Sequence, residues 1–417
     1  MHAPHRVVFV TSSYPRFDGD TVGTCMEPIA NGLAARGHEI HVVLPWHPLL
    51  QRGSANGVHF HPFRYAPVAS LNVFGYAAAL KADVALRPAA IAVAPFAFLA
   101  GWRAARVVAQ TVNATVMHAH WLVPGGVIAA QAARELPLVI SLHGSDIYVA
   151  ERHRLVGRAA THALRRADWI TACSDDLARR AVALGATSEC LEVVPYGVDT
   201  MLFKPDPIAR RERRAALSLG ADDPLIFTAG RLVCKKGFEY AIEACAHLLV
   251  RRPRLMLAIA GSGDLDHELR GRAAGLGIAG RVRFLGTLDH PAIAAWLAAA
   301  DVSIVPSVRD DAGNVDGLPN IVLETLASET PLVATTAGGI SAVACHQRTA
   351  ILVPERDAGA LAAAIETLLQ APETRALLGR AARAEMVAAR SWDQVAARFE
   401  AAYKSAAARQ HLSGLPG

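Results

Sequence analysis

Short runs of aliphatic and β-branched residues alternate with Ala-, Leu- and Arg-rich segments of helical period, and this alternation runs through twice. Residues 7–10, 40–44, 138–142, 169–172 and 192–194 read as strands, with helices between them such as 27–36 and 155–166. A charged interval at 203–223, with Pro205, Pro207, Arg210, Arg211, Arg213 and Arg214, interrupts the rhythm and reads as a linker. Strands then resume at 225–229, 256–260, 282–285, 302–305 and 332–335. Strand runs that are apolar throughout belong to sheets covered on both faces, which is the condition of a doubly wound parallel sheet. The expectation is an α/β chain of two Rossmann-like domains facing across a cleft, residues 1–203 and 204–390. A C-terminal helix and tail, 391–417, is left free to pack back on the first domain. The length of 417 residues agrees, because one hydrophobic core stops growing at roughly 250–300 residues.

Composition excludes several classes. Lys+Arg 42 against Asp+Glu 37 gives a net charge of +5, too small a surplus at this length to mark a nucleic-acid binder. The six cysteines stand singly, with no C-x-x-C, so neither a zinc site nor a disulfide framework is indicated. A reducing cytoplasm is the simplest setting. Met1 leads into the strand-like run Arg6–Val10 without the apolar region of a signal peptide. The longest uncharged apolar stretch, Pro88–Trp102, contains Pro95 and is shorter than the ~20 residues a bilayer span takes. A buried helix pair is the favoured reading. The alternative, with Phe96, Phe98, Trp102, Arg103 and Arg106, is a peripheral contact with a membrane interface.

Five stretches carry chemistry. Residues 310–327, D-D-A-G-N-V-D-G-L-P-N-I-V-L-E-T-L-A, pair an acidic glycine-bearing loop with a helix that starts at Pro319 or Asn320. The first N–H groups of that helix, around Asn320, Ile321 and Val322, and its positive dipole end favour a phosphate. Asp316 stands on the loop and Glu324 one turn into the helix, where carboxylates suit hydrogen bonds from sugar hydroxyls. Residues 229–238, A-G-R-L-V-C-K-K-G-F, place Gly230, Arg231, Lys235 and Lys236 at the mouth of a strand, and Gly261 and Gly263 turn the chain after the next strand. Cations there suit a diphosphate, since charge-assisted bonds are the strong ones. After the first strand, T-S-S-Y-P-R-F-D-G-D-T-V-G offers Gly19 and Gly23 for close approach of a ligand, though it is no G-x-G-x-x-G. Lastly, M-H-A-H-W supplies His118 and His120, for which packing is favoured over metal ligation, and L-H-G-S-D sets His143 and Asp146 at a strand end where a sugar would meet them.

Together these motifs resemble the retaining GT-B glycosyltransferases of glycosyltransferase family 4. Gly230-Arg231 with Lys236-Gly237, D-G-L-P-N-I-V-L-E, A-G-G-I at 337–340 and L-V-P at 352–354 carry the resemblance in the second half. S-S-Y-P, H-A-H-W, L-H-G-S-D and P-Y-G-V-D at 195–199 carry it in the first. The resemblance implies a GT-B fold and transfer of a sugar with retention of configuration. The donor would be a nucleoside-diphosphate sugar, with UDP the first choice, and the acceptor a polysaccharide or lipid-linked intermediate. It implies Arg231 and Lys236 on the diphosphate, Glu324 on the ribose, Asp316 on the donor sugar and His143 near the reacting sugar, with no metal or other cofactor. Gly19, Gly23, Asp146, Gly230, Gly261, Gly263, Asn320, Ile321 and Val322 complete the expected donor site. Two positions depart from the family pattern: Asp316 stands where the family prefers Glu, and Ser341-Ala342 where it often has Pro-Glu. The implied location is cytoplasmic, with the inner face of the membrane as a peripheral alternative. A non-catalytic nucleotide-sugar-binding protein is the second reading, because the same residues serve either role.

Overall fold

The computed structural model describes residues 4–20, 22–76, 80, 81, 85, 86, 88–220 and 222–413. The chain divides into two compact units, Met1–Pro195 with Trp392–Gly417, and Tyr196–Ser391. The first unit runs β1 (Arg6–Val10), α1 (Met26–Ala35), β2 (Glu39–Pro45), β3 (Val58–Phe63), a short antiparallel pair β4 (Leu80–Lys81) and β5 (Ala85–Leu86), α2 (Pro88–Thr111), β6 (Val116–His120), α3 (Val127–Ala132), β7 (Leu138–Leu142), α4 (Ser145–Arg152), α5 (Arg154–Arg166), β8 (Trp169–Ala172), α6 (Asp175–Ala183) and β9 (Leu191–Val193). Its main sheet is parallel throughout, in the order β3-β2-β1-β6-β7-β8-β9. Val7, Val8, Phe9 and Val10 of β1 are all buried, as a central strand covered on both faces must be.

The second unit runs α7 (Pro207–Ala216), β10 (Leu225–Ala229), α8 (Phe238–Leu249), β11 (Met256–Ala260), α9 (Asp266–Gly275), β12 (Val282–Gly286), α10 (His290–Ala299), β13 (Val302–Val305), α11 (Asn320–Ala327), β14 (Leu332–Thr335), β15 (Ile351–Val353), α12 (Ala358–Gln370) and α13 (Pro372–Ala389). Its sheet order is β12-β11-β10-β13-β14-β15, again all parallel. Both sheets reverse direction beside their first strand, between β1 and β6 and between β10 and β13. Open α/β sheets bind ligands at the carboxyl ends of the strands flanking such a switch point.

The last helix, α14 (Trp392–Ser413), belongs to the first unit. It lies against α1, where Gly32 lets the Ala396 side chain and the Trp392 carbonyl come close. Arg36 binds Asp393 and Glu400, and Tyr403 is fully buried with its hydroxyl 2.8 Å from His118 Nδ1.

Two expectations are corrected here. Residues 203–223 are no linker: α7 is capped by the Asp206 carboxylate and packed through Arg213 over the Trp296 ring. Arg210 and Arg214 bind Asp301 at 2.6 and 3.0 Å. The segment is polar in sequence because Asp301 and main-chain carbonyls neutralise its arginines, and the division between units falls earlier, at Pro195–Tyr196. Pro88–Trp102 is not a helix pair. It is the first part of α2, whose 24 residues run through Pro95 and are long and apolar enough to cross a membrane by length and composition. Only 28% of its most apolar window is buried, and Ile91, Phe96 and Leu99 are exposed.

Candidate functional site

In the second unit, the loops after β10, β11, β13 and β14 meet at one edge of the sheet. Gly230 N–H donates to the Ala260 carbonyl at 3.0 Å, Leu232 N–H to Ser262 at 2.9 Å, and Gly261 N–H to Gly286 at 2.7 Å, so Gly230, Gly261 and Gly263 belong to one interlocked turn system. Gly237, at φ +64°, caps α8, and a Cβ there would lie 2.0 Å from the Pro306 carbonyl oxygen after β13. Gly338, at φ +59°, lies equally close to the Asp316 carbonyl. Only glycine satisfies both the left-handed backbone and the contact. These two residues therefore bring the cationic loop, the acidic loop and the loop after β14 together.

The result is a triad of charge. Lys235 Nζ lies 3.0 Å from Asp316 Oδ1 and Lys236 Nζ 2.5 Å from Asp316 Oδ2, with all three side chains largely covered. Burial alone would push the Asp316 carboxyl up, but the two ammonium groups hold it well below the usual carboxylate range. Lys236 lays its stem against Gly230. Arg231 is exposed at the same strand mouth. The sequence set Lys235 among the cations of this strand mouth, and only the fold shows that it is turned inward onto Asp316.

α11 begins at Asn320 with Pro319 as its cap residue, and Ile321, Val322, Leu323 and Leu326 anchor it in the core. Val322 N–H donates to the Pro319 carbonyl at 3.1 Å, so the first turn is tightened and this donor is shared with the chain itself. Asn320 and Ile321 open the helix as anticipated from the sequence. Glu324 is four residues further on. Burial pushes its carboxyl up to about 7, with Lys236 pulling the other way, and His290 Nε2 lies 3.9 Å from it. At neutral pH this group is poised between an acceptor-only carboxylate and a neutral acid that also donates.

The first unit gathers a different set. At the ends of β6 and β7, His120 Nδ1 and His143 Nε2 are 3.1 Å apart, and the Trp121 ring lies 4.6 Å from His143. Burial lowers the His143 imidazole to about 3, although the residue is partly exposed, and holds His118 and His120 well below the usual imidazole value. These rings are neutral hydrogen-bonding groups. His118 spends its two nitrogens on Tyr403 and Ser141, at 2.8 and 2.7 Å, which makes it a structural tie. Among the described residues, no group of three His, Cys, Asp or Glu is arranged to hold a metal ion.

Asp146, expected at the donor site, is placed to position the surrounding loops. It is buried, its Oδ2 accepts from Leu122 N–H at 2.6 Å and its Oδ1 from Gly144 N–H at 2.9 Å. Its carboxylate is consumed in holding the loops after β6 and β7. Gly19 and Gly23 lie in the loop after β1, at φ +85° and +67°, where Asp20 clasps Arg16 through contacts of 2.6 to 3.0 Å. Gly23 packs against Ser13, whereas Gly19 has open space above it. The expected donor residues are thus split: Gly19, Gly23 and Asp146 in the first unit, all the others in the second.

Residues 22–202 match the family described as Glycosyltransferase Family 4, and residues 209–385 that described as Glycosyl transferases group 1. A GDP-mannose-dependent alpha-(1-6)-phosphatidylinositol monomannoside mannosyltransferase of Mycolicibacterium smegmatis is 34% identical over 61% of this chain. The match spans 66% of that relative's length, just under two thirds. The glycogen synthase of Mycobacterium tuberculosis is 30% identical over 70% of this chain and 69% of its own length. Among solved structures, Anabaena HepE in complex with UDP superposes with a TM-score of 0.75 at 21% identity, over 96% of this chain and 100% of that one. The chain belongs to glycosyltransferase family 4 and has the GT-B fold.

Proposed function

We propose that this protein transfers a sugar, with retention of configuration, from a nucleoside-diphosphate sugar to a sugar or lipid-linked acceptor. The observation that carries the reading is the Lys235–Asp316–Lys236 triad at the switch point of the second sheet, beside Arg231 and the start of α11. The diphosphate would lie on Lys236, Arg231 and the first N–H groups of α11, with the ribose on Glu324 and the donor sugar toward Asp316. A diphosphate reaching Lys236 must share it with Asp316, while Lys235 keeps the carboxylate charged and in place. In the reaction the bond from the anomeric carbon to the phosphate oxygen breaks and a bond to the acceptor oxygen forms on the same face. A leaving-phosphate oxygen takes the acceptor's proton. Arg231 and Lys236 stabilise the charge that develops on the leaving group, which needs no protein base. His143, neutral and partly exposed at the end of β7, would hydrogen-bond the reacting sugar. UDP-sugars are the first choice of donor; the GDP-mannose named for one relative makes GDP-sugars the second.

The acceptor is assigned to the first unit. If it is lipid-linked, the exposed Ile91, Phe96 and Leu99 of α2 offer a peripheral contact with the inner face of the membrane. A panel of nucleotide sugars, screened for acceptor-dependent release of nucleoside diphosphate, tests the whole reading. No release from any donor with polysaccharide or lipid-linked acceptors would overturn it.

A further inference from the structure

The arginines of the first unit are unevenly matched. Residues 151–166 hold five arginines and one acid, Glu151, a formal charge of 5 − 1 = +4 against +5 for the whole chain. Some are used by the fold: Arg166 pairs with Asp168 at 3.2 Å and donates to the carbonyls of Arg134 and Leu136. Arg180 of α6 binds Glu151 at 2.8 Å, so the one acid of the stretch is already neutralised. Arg154, Arg158 and Arg165 are exposed, and among the described residues none of them is in an ion pair or a side-chain hydrogen bond.

These three and His162 follow one another at three- or four-residue steps along α5, and so share a face. Ala160, Ala163 and Leu164 are buried on the opposite side and fix that face outward. With Glu151 at the end of α4 and Leu184 after α6, it lines a groove of about 570 Å³. That is within the range of small-molecule sites, roughly 300–1,000 Å³. Arg158 stands one turn beyond Arg154 and Arg165 about two turns further along the same face, and this row of uncompensated cations favours the entry of an anion. Guanidinium forks fit phosphate oxygens two at a time, and three of them match a doubly charged phosphate better than a single carboxylate.

We propose that the groove between α4, α5 and the end of α6 binds a phosphate-bearing ligand through Arg154, Arg158 and Arg165. It is separate from His143, which precedes α4, because that helix puts eight residues, or about 12 Å, between them. The proposal does not depend on the donor assignment, which concerns the other unit. The phosphate belongs either to a soluble phosphorylated sugar or to a lipid headgroup at a bilayer surface.

The test uses the full chain and the R154A/R158A/R165A variant. Glucose 6-phosphate is titrated by calorimetry with glucose as the neutral control, and phosphatidylglycerol vesicles are used in flotation with phosphatidylcholine as theirs. Wild type is expected to bind at least one phosphate probe over its neutral control, more weakly at higher salt. The variant is expected to bind about tenfold more weakly or worse. Loss with glucose 6-phosphate identifies a soluble sugar phosphate, and loss with vesicles alone identifies a headgroup. Equal binding by both proteins, or no phosphate binding by wild type in either arm, overturns the proposal. Should the triple variant melt lower than wild type, R158E replaces it: weakened binding supports the proposal and unchanged binding overturns it. UDP and GDP binding, measured alongside, reports on the donor site separately.

Discussion

The two units share a strand order around the switch point and differ in what they place at the strand ends. The second unit exposes an edge built of charge: Lys235, Lys236, Arg231 and Asp316, held by glycines that let four loops touch. The first unit builds its edge from neutral imidazoles and from a carboxylate, Asp146, already saturated by backbone N–H groups. The same scaffold therefore supports two chemistries. A charged edge suits a diphosphate, which needs opposite charge, whereas a neutral edge with fixed hydrogen-bonding groups suits sugar hydroxyls, which do not.

The sharpest way to break this contrast is to remove charge from the second edge. Lys236→Ala is expected to lower turnover by about 10²–10³, the effect of deleting one preorganised anion-stabilising group. Near wild-type turnover with the true acceptor would remove Lys236 from the mechanism. On the neutral edge, Asp146→Ala is expected to show itself as lost stability. It strands the buried N–H groups of Leu122 and Gly144, at about 2–4 kcal/mol in total, measured by chemical denaturation. An unchanged midpoint would mean that the carboxylate does not hold those loops.

Glu324 sharpens the comparison because it is an acid on the charged edge that burial holds between its neutral and ionised forms. Its pKa is raised from 4.5 to about 7, so the fold favours the protonated form. The stability this gives is fully present below pH 4.5 and is lost as the pH rises through 7, by up to about 3 kcal/mol. Glu324→Gln keeps a neutral group, so the difference in unfolding free energy between wild type and variant is expected to drift by that amount between pH 4.5 and 8. A flat difference would show that the carboxyl is not buried as described. The smallest effect is expected away from both edges. Phe96→Ser with Leu99→Ser alters exposed positions of α2 and is expected to change stability by less than about 0.5 kcal/mol, with turnover of a soluble acceptor unaffected. Reduced flotation with vesicles would tie that face to a membrane.

Most strands that were legible in the sequence are largely buried, although the partly exposed β9 and β12 were read as well. Residues 138–142, 169–172, 225–229, 256–260, 302–305 and 332–335 read as strands in the sequence and form strands with the same bounds in the fold. Those missed carry polar residues or are very short: β3 and β6 hold His59, His61, His118 and His120, and β15 has three residues. In β6 the packing reading of His118 and His120 agrees with their burial, but the partner that satisfies His118, Tyr403, lies 285 positions away and is not legible in the sequence. The arginines of α7 suggested a linker because their partner Asp301 is likewise remote, beyond the end of α10.

By itself the sequence determined the two series of buried parallel strands, since the apolar runs need cover on both faces and the rhythm runs through twice, and it determined which loops bear glycines, cations and acids. It could not determine pairing. That Asp316 is held by two lysines, that Asp146 is consumed by backbone N–H groups, and that Arg154, Arg158 and Arg165 lack the acids their neighbours have are all outcomes of contacts between distant segments. A side chain's charge state and availability depend on what surrounds it, and only the tertiary structure decides its surroundings.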